Sequence, residues 1–407
     1  MSGLAEPGLA EPGLAEPGLA EPGLAEPELP ILIEDDLQEL YELRALDRPA
    51  LSPPHPPDPR IDNIYQRFDA PRWRERGARE GFPELLRTLS SIPLSAVVPP
   101  VVDASSPAAS PSFEASNTPA VLRNAMSSWP CFASAGPWSF RSFLARFRGT
   151  MFRFSDTHGG MLAFETYYAY TRSELLGLAD DSPLGIYDSE FGDDEPTKAL
   201  ADEYSVPPIF SPDIFHLAPA PHPPYRWILL GPARSGTGLH IDPLWTNAWV
   251  ALVAGKKRWL LFPPKTPPAL LGVEPGKPQV NSSIWFQDNY DRVTSEDWPE
   301  EFRPHHVLQS PGEIVFVPNG WFHLVLNLEE SVAVTHNYAC EDGPFERMYD
   351  DVVENEAEFA GRWREALKEK RPDLEERLRK WEREKEERGA GAEEATYSSA
   401  LGHKTNV

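Results

Sequence analysis

Between Tyr225 and Ala339 the apolar residues fall in short runs, each closed by glycine, proline or a polar turn. Trp227–Gly231, Asn247–Val253, Arg258–Phe262, Glu313–Val317, His323–Asn327 and Ser331–Asn337 are rich in Val, Ile, Leu and Trp, with turn residues at their ends. That composition and spacing predict strands. Several short strands separated by turns predict an antiparallel jelly-roll barrel. Phe164–Thr171 (FETYYAYT) alternates in the same way and is predicted as a further strand. Outside this block the period changes to that of a helix. Arg60–Leu89 places Tyr65, Phe68, Trp73 and Leu85 as buried contacts, and Leu29–Leu43 forms a short amphipathic stretch. Phe345–Lys370 carries Met348, Val352, Phe359, Trp363 and Leu367 at helical spacing, and Leu374, Leu378 and Trp381 continue the pattern beyond Pro372. The fold class is mainly β, with helices flanking the barrel on both sides in sequence.

Composition divides the remainder. Gly3–Pro27 is five tandem copies of GLAEP, and proline and glycine in every copy prevent a continuous helix or strand. This gives a disordered tail over 1–28. A helical and irregular region with proline-rich linkers follows over 29–118, the barrel domain over 119–340, a helical region over 341–388 and a disordered tail over 389–407. Trp129, Trp138 and Phe143 are read as core aromatics. The excursion from Pro264 to His306 is long for a compact domain and is expected to line or cover a site mouth.

Charge narrows the partners. The chain carries 38 Lys and Arg against 63 Asp and Glu, a net charge of −25. Direct binding to nucleic acid is not expected, because that needs a cationic surface. Basic protein partners fit better. Two cysteines, Cys131 and Cys340, make neither a disulfide framework nor a zinc signature. With no leader pattern and no apolar run long enough to span a bilayer, a soluble intracellular protein is expected, with no membrane partner.

The candidate chemistry lies at His240 and Asp242. Side chains at i and i+2 of an extended segment share a face, so an imidazole and a carboxylate converge there. A lone His-x-Asp is common; the order of the parts around it is not. A strand-like run and the segment KKRWLLFPP follow it, and then PGEIVFVPNGWFH brings His323 after a turn, a buried strand and a second turn. Two histidines and one carboxylate on one face of a metal leave the opposite positions open, as in non-haem Fe(II) oxygenases.

At this point the chain resembles the Jumonji-C (JmjC) 2-oxoglutarate oxygenases, and within them the branch of the bifunctional arginine demethylase and lysyl hydroxylase. The resemblance is carried by SPLGIYDSEFG at Ser182–Gly192, PPYRWILLGPARSGTGLHIDPL at Pro223–Leu244, GKKRWLLFP at Gly255–Pro263 and PGEIVFVPNGWFHLVLNL at Pro311–Leu328. It implies a double-stranded β-helix of the cupin type. It implies His240, Asp242 and His323 as Fe(II) ligands and as the catalytic centre, with 2-oxoglutarate and O2 as co-substrates. Lys257 matches the family's cation for the co-substrate carboxylate and Thr335 its hydroxyl partner. Thr237 and Asn337 match polar positions near the site. The implied reaction decarboxylates 2-oxoglutarate to succinate and inserts oxygen into a C–H bond. The expected activity is lysyl hydroxylation, N-methyl demethylation or both, on Lys/Arg-rich protein segments. Nuclear location and a homodimer through the carboxy-terminal helices are further implications.

Two positions depart from the branch. Gly185 stands where the branch has a tyrosine facing the co-substrate; Tyr187, two residues on, lies on the same strand face and can compensate. Val250 stands where the branch has an asparagine, and Asn247 is on the opposite strand face. These departures support one rival, a non-catalytic binding protein on the same fold; a hydroxylase of a non-protein substrate is a second, separate alternative.

Overall fold

A computed structural model describes residues 78–105, 112–133, 137–154, 160–172, 183–193, 195–273 and 281–388. The GLAEP repeats, Leu29–Leu43, Tyr65, Phe68, Trp73 and the tail beyond Arg388 lie outside the described residues.

Among the described residues, thirteen strands make two facing sheets. They are β1 Val101–Asp103, β2 Ala120–Arg123, β3 Met151–Phe154, β4 Gly160–Ala163, β5 Ile186–Asp188, β6 Arg226–Gly231, β7 Gly236–His240, β8 Asn247–Ala254, β9 Lys257–Phe262, β10 His305–Gln309, β11 Ile314–Val317, β12 Phe322–Asn327 and β13 Ser331–Tyr338. The larger sheet has the order β1-β2-β11-β8-β13-β6-β5-β3-β4 and the smaller β10-β9-β12-β7. Every pairing is antiparallel except β1 with β2. This is the jelly-roll architecture, with each predicted strand of the block found to within one residue at either end.

Both faces of both sheets are covered, so the strands read as apolar runs while their side chains still alternate. On β8, Ala248, Val250 and Leu252 point between the sheets, and Trp249, Ala251 and Val253 point to the outer layer. On β12, Phe322, Leu324 and Leu326 face outward. His323, Val325 and Asn327 therefore face inward, onto one cavity. The outer layer of the larger sheet is aromatic: Trp129, Trp138, Phe143, Phe147 and Phe152 are all buried there.

Two expectations fail. Phe164–Arg172 is a helix and not a strand, with Phe164, Tyr167, Tyr168, Tyr170 and Thr171 all buried. A helix buried all round shows no polar stripe, so its aromatic content imitates a strand. The excursion from Pro264 to His306 does not cover the cavity with any of its described residues. Its helix, Ser282–Val293, packs Trp285, Phe286 and Tyr290 on the outer face of the smaller sheet, against Leu239, Leu260 and Leu324.

The carboxy-terminal helices are Phe345–Asn355, Ala357–Lys370 and Pro372–Arg388. Met348, Val352, Phe359, Trp363, Leu367, Leu374 and Leu378 form a third core with Ile214, Phe215 and Ala339. Their apolar face is thus buried on the chain's own barrel.

The packing of Trp249 gives a stability test. It is fully buried, stacked on His336 at 4.4 Å between centroids and on Phe210 at 5.9 Å. Trp249→Ala is expected to lower unfolding stability by about 3–5 kcal/mol in urea titrations. Met151→Ala, at an exposed position, should change it by less than about 0.5 kcal/mol.

Candidate metal centre

His323 on β12 stands opposite His240 on β7, and a bulge between His323 and Val325 adjusts the register below them. The strand ends at His240. Asp242 lies beyond it in extended backbone (φ −57°, ψ 144°), so the i, i+2 relation persists although the ladder has stopped. One ligand atom from each of His240, Asp242 and His323 lies within 4.8 Å of the others. His323 Nε2 is 3.8 Å from Asp242 Oδ2, and the two rings are 4.1 Å apart at their centroids.

The protonation pattern suits a cation. His240 Nδ1 is 2.8 Å from Gly238 O and His323 Nδ1 is 3.1 Å from Trp321 O. Donation of each Nδ1–H to a carbonyl puts the proton there and leaves Nε2 as a free lone pair. Burial brings both imidazoles down to about 4, so they are neutral at physiological pH. Asp242 Oδ2 is buried without a hydrogen-bond partner, and burial raises this carboxyl above its ordinary range. A buried carboxylate oxygen with no donor is costly unless a cation sits on it. The trio fits a divalent metal bound by two imidazoles and one carboxylate.

Below this pole the cavity continues between the sheets, about 780 Å³ with part of it open to solvent. Val325 pairs with Trp259 and Thr237 in the next inward-facing row. Asn327 pairs with Lys257 one row further down. Each row is about 6.6 Å from the last. Lys257 is buried and its Nζ donates to Asn327 Oδ1 at 2.7 Å. Burial lowers this amine to about 7. The cavity therefore has a metal-binding end and a cationic end, with an apolar waist between them.

The facing wall comes from the larger sheet. Asn337 lies across from Ala248, and its Nδ2 donates to Thr246 Oγ1 at 2.8 Å. A side-chain hydrogen bond from Asn337 also acts to lower the Asp242 carboxyl, against the larger effect of burial. One row down, Thr335 lies between Val250 and Trp227. Its hydroxyl donates to Trp249 O at 3.0 Å, so it offers the cavity an acceptor. Tyr187 on β5 lies across from Leu229. A β-carbon on Gly185 would come within 2.7 Å of the Tyr187 ring, which occupies the space beside that glycine. Asn247 faces away, bonded to Cys340 Sγ and to the Asn319 backbone.

One cavity thus gathers His240, Asp242, His323, Lys257, Thr335, Thr237, Asn337 and Tyr187. It also presents residues not anticipated from sequence. Trp227 Nε1 is buried without a partner and lines the cavity. Asn327 holds Lys257, and Ser235 Oγ accepts from Asn327 Nδ2 at 2.8 Å. The signal for Asn327 was present, since it is four residues after His323 and shares its strand face.

Residues 227–338 match the family model described as JmjC domain, hydroxylase. Residues 3–27, outside the described structure, match a model described as GLTT repeat in six copies. Bifunctional arginine demethylase and lysyl-hydroxylase psr-1 of Caenorhabditis elegans is 38% identical over 269 residues, 64% of this chain and 65% of that protein. Arginine-specific demethylase JMJ22 of Arabidopsis thaliana is 38% identical over 232 residues, 56% of this chain and 43% of that protein. 2-oxoglutarate and iron-dependent oxygenase JMJD4 of Mus musculus is 30% identical over 188 residues, 44% of this chain and 42% of that protein. The matched region spans just under two thirds of the worm protein and less of the other two. No helix of the described residues is long and apolar enough to cross a membrane. The jelly roll, the trio and the matched segment agree that residues 227–338 form a JmjC domain.

Proposed function

We propose that the protein is an Fe(II)- and 2-oxoglutarate-dependent dioxygenase acting on protein side chains, by lysyl hydroxylation, N-methyl demethylation or both. The observation that carries this reading is the two-ended cavity, with His240, Asp242 and His323 at one end and the buried Lys257 at the other. A dicarboxylate that chelates a metal through one end needs a cation for its other end. That is the arrangement in this cavity.

Fe(II) and 2-oxoglutarate, when bound, supply the oxidising chemistry that inserts an oxygen atom from O2 into a C–H bond. The chain's own groups do the rest. His240 Nε2, His323 Nε2 and Asp242 hold the metal. Lys257, steadied by Asn327, neutralises the distal carboxylate. Thr237, Thr335, Asn337 and Tyr187 bind and orient. Trp259, Val325 and Val250 exclude water between the ends, which strengthens the ionic contact. Hydroxylation of an N-methyl carbon gives a carbinol that loses formaldehyde, so one oxidative step serves both activities.

A Lys/Arg-rich polypeptide is the substrate class we favour, supported by the net charge of −25 and by the activities for which the relatives are named. Nuclear location and a homodimer through the carboxy-terminal helices, where Val353 is exposed, belong to the same reading.

The wild-type protein with Fe(II) and O2 is expected to release succinate from 2-oxoglutarate, and Asp242→Ala to abolish release. Silence of the wild type, together with no thermal stabilisation by Mn(II) and 2-oxoglutarate, would favour a binding protein. Turnover of basic over acidic peptides is expected; equal rates would count against a basic substrate.

Lys257 sets a pH dependence. Its amine lies near 7 in the empty cavity, and a carboxylate beside it favours the charged form. Above about pH 7 binding must therefore take up a proton, and the dissociation constant for 2-oxoglutarate should rise about tenfold per pH unit. Below about pH 7 the amine is already charged and the slope should vanish. Calorimetry in buffers of different ionisation enthalpy measures the uptake. A flat profile from about pH 6.5 to 8.5 would remove Lys257 from this role.

A further inference from the structure

The chain turns immediately after Asp242 in an unusual way. Leu244 and Trp245 are both left-handed, at φ 56° and φ 52°. Asn117, Asn124 and Arg234 are the other described non-glycine residues with positive φ, and no two of these are adjacent. A β-carbon opposes this conformation, so it persists only where surrounding contacts hold it.

Those contacts converge on Trp245. Its ring lies against Gly320, itself left-handed at φ 77°, where an added β-carbon would sit 2.7 Å from Cζ3. Gly320 is three residues before His323, as Trp245 is three after Asp242. The indole therefore joins the two loops that carry ligands. On its other side, the Arg347 guanidinium sits 5.0 Å from the ring centroid, within cation–π range. Arg347 belongs to the helix Phe345–Asn355, and Leu244 and Trp245 both pack against the core of the carboxy-terminal helices. The loops are tied a second time by Asn247 Oδ1, which accepts from Asn319 N at 2.9 Å.

We infer that Trp245 is a positioning residue for the Asp242–His323 pair, clamped by Arg347, so that the helix Phe345–Asn355 acts on metal affinity through this indole. This rests on the reading of the trio as a metal site. It assigns the helices a role in the metal centre separate from any contact with a second copy.

Co(II), whose absorption bands report ligand geometry, is a suitable probe of the full chain. Trp245→Ala is expected to weaken Co(II) binding about tenfold, the lower range for residues that orient ligands, and to alter the bands. Trp245→Phe, which keeps an aromatic face, should stay near wild type. Arg347→Ala should weaken binding in the same direction, and Arg347→Lys should restore most of the loss. Arg377→Ala is the control: its guanidinium, on the helix Pro372–Arg388, pairs with Glu346 of the helix Phe345–Asn355 and not with the indole. It should leave affinity and bands unchanged. Absence of Co(II) binding by the wild type would overturn the metal reading itself. Wild-type binding with unchanged affinity and bands in both alanine variants would overturn the positioning role alone. An equal loss in Arg377→Ala would also overturn it, assigning the effect to helix packing in general.

Discussion

The site depends first on register. His323 faces His240 because β12 pairs antiparallel with β7, and the same strand carries Val325 and Asn327 down the same face. A slip of one residue would turn every one of those side chains to the outer layer. The outer layer prevents the slip. Phe322, Leu324 and Leu326 are buried against the helix Ser282–Val293, and would be exchanged for histidine and asparagine. The long excursion between β9 and β10 therefore serves the site from behind. Its described residues do not line the cavity; they fix which face of β12 points inward.

Electrostatics follow from that placement. The cavity buries a lysine amine with a neutral amide as its partner, and a carboxylate oxygen with no donor. Either group alone is unfavourable in a dry interior. Such groups are retained where a ligand supplies the missing charge, and their fixed orientation saves reorganisation when it arrives. A metal answers the carboxylate and an anion answers the amine. The two ends suit a metal and an anion held in one cavity.

The barrel was legible because its code is local. Strands of four to eight residues bounded by turn residues declare themselves, and β6, β8, β9, β11, β12 and β13 appear within a residue of their expected ends. His240, Asp242 and His323 were legible because two are neighbours and the third closes a recognisable order of turns. What was missed had two causes. Phe164–Arg172 is buried on all sides, so nothing in its pattern separates period 3.6 from period 2. Trp227 and Trp245 are tryptophans among 12, and their roles arise from partners distant in sequence. An unpaired indole N–H, or a ring wedged against a glycine 75 residues away, leaves no periodic trace.

Gly185 and Tyr187 show how a departure from a family pattern is read physically. A missing side chain at a cavity wall leaves either a void or an occupant. Here the space is occupied: the Tyr187 ring lies beside Gly185, close enough that any β-carbon there would displace it. The two positions are therefore one unit, in which the glycine is the condition for the tyrosine. Val250 differs. It sits in the row of Thr335 and Trp227, and its isopropyl group replaces polarity with bulk. The unpaired Trp227 Nε1 stands at the other end of that row. A ligand oxygen placed there finds a donor on β6 in place of one on β8. The wall thus keeps a hydrogen-bond donor in that row but presents it from the opposite side.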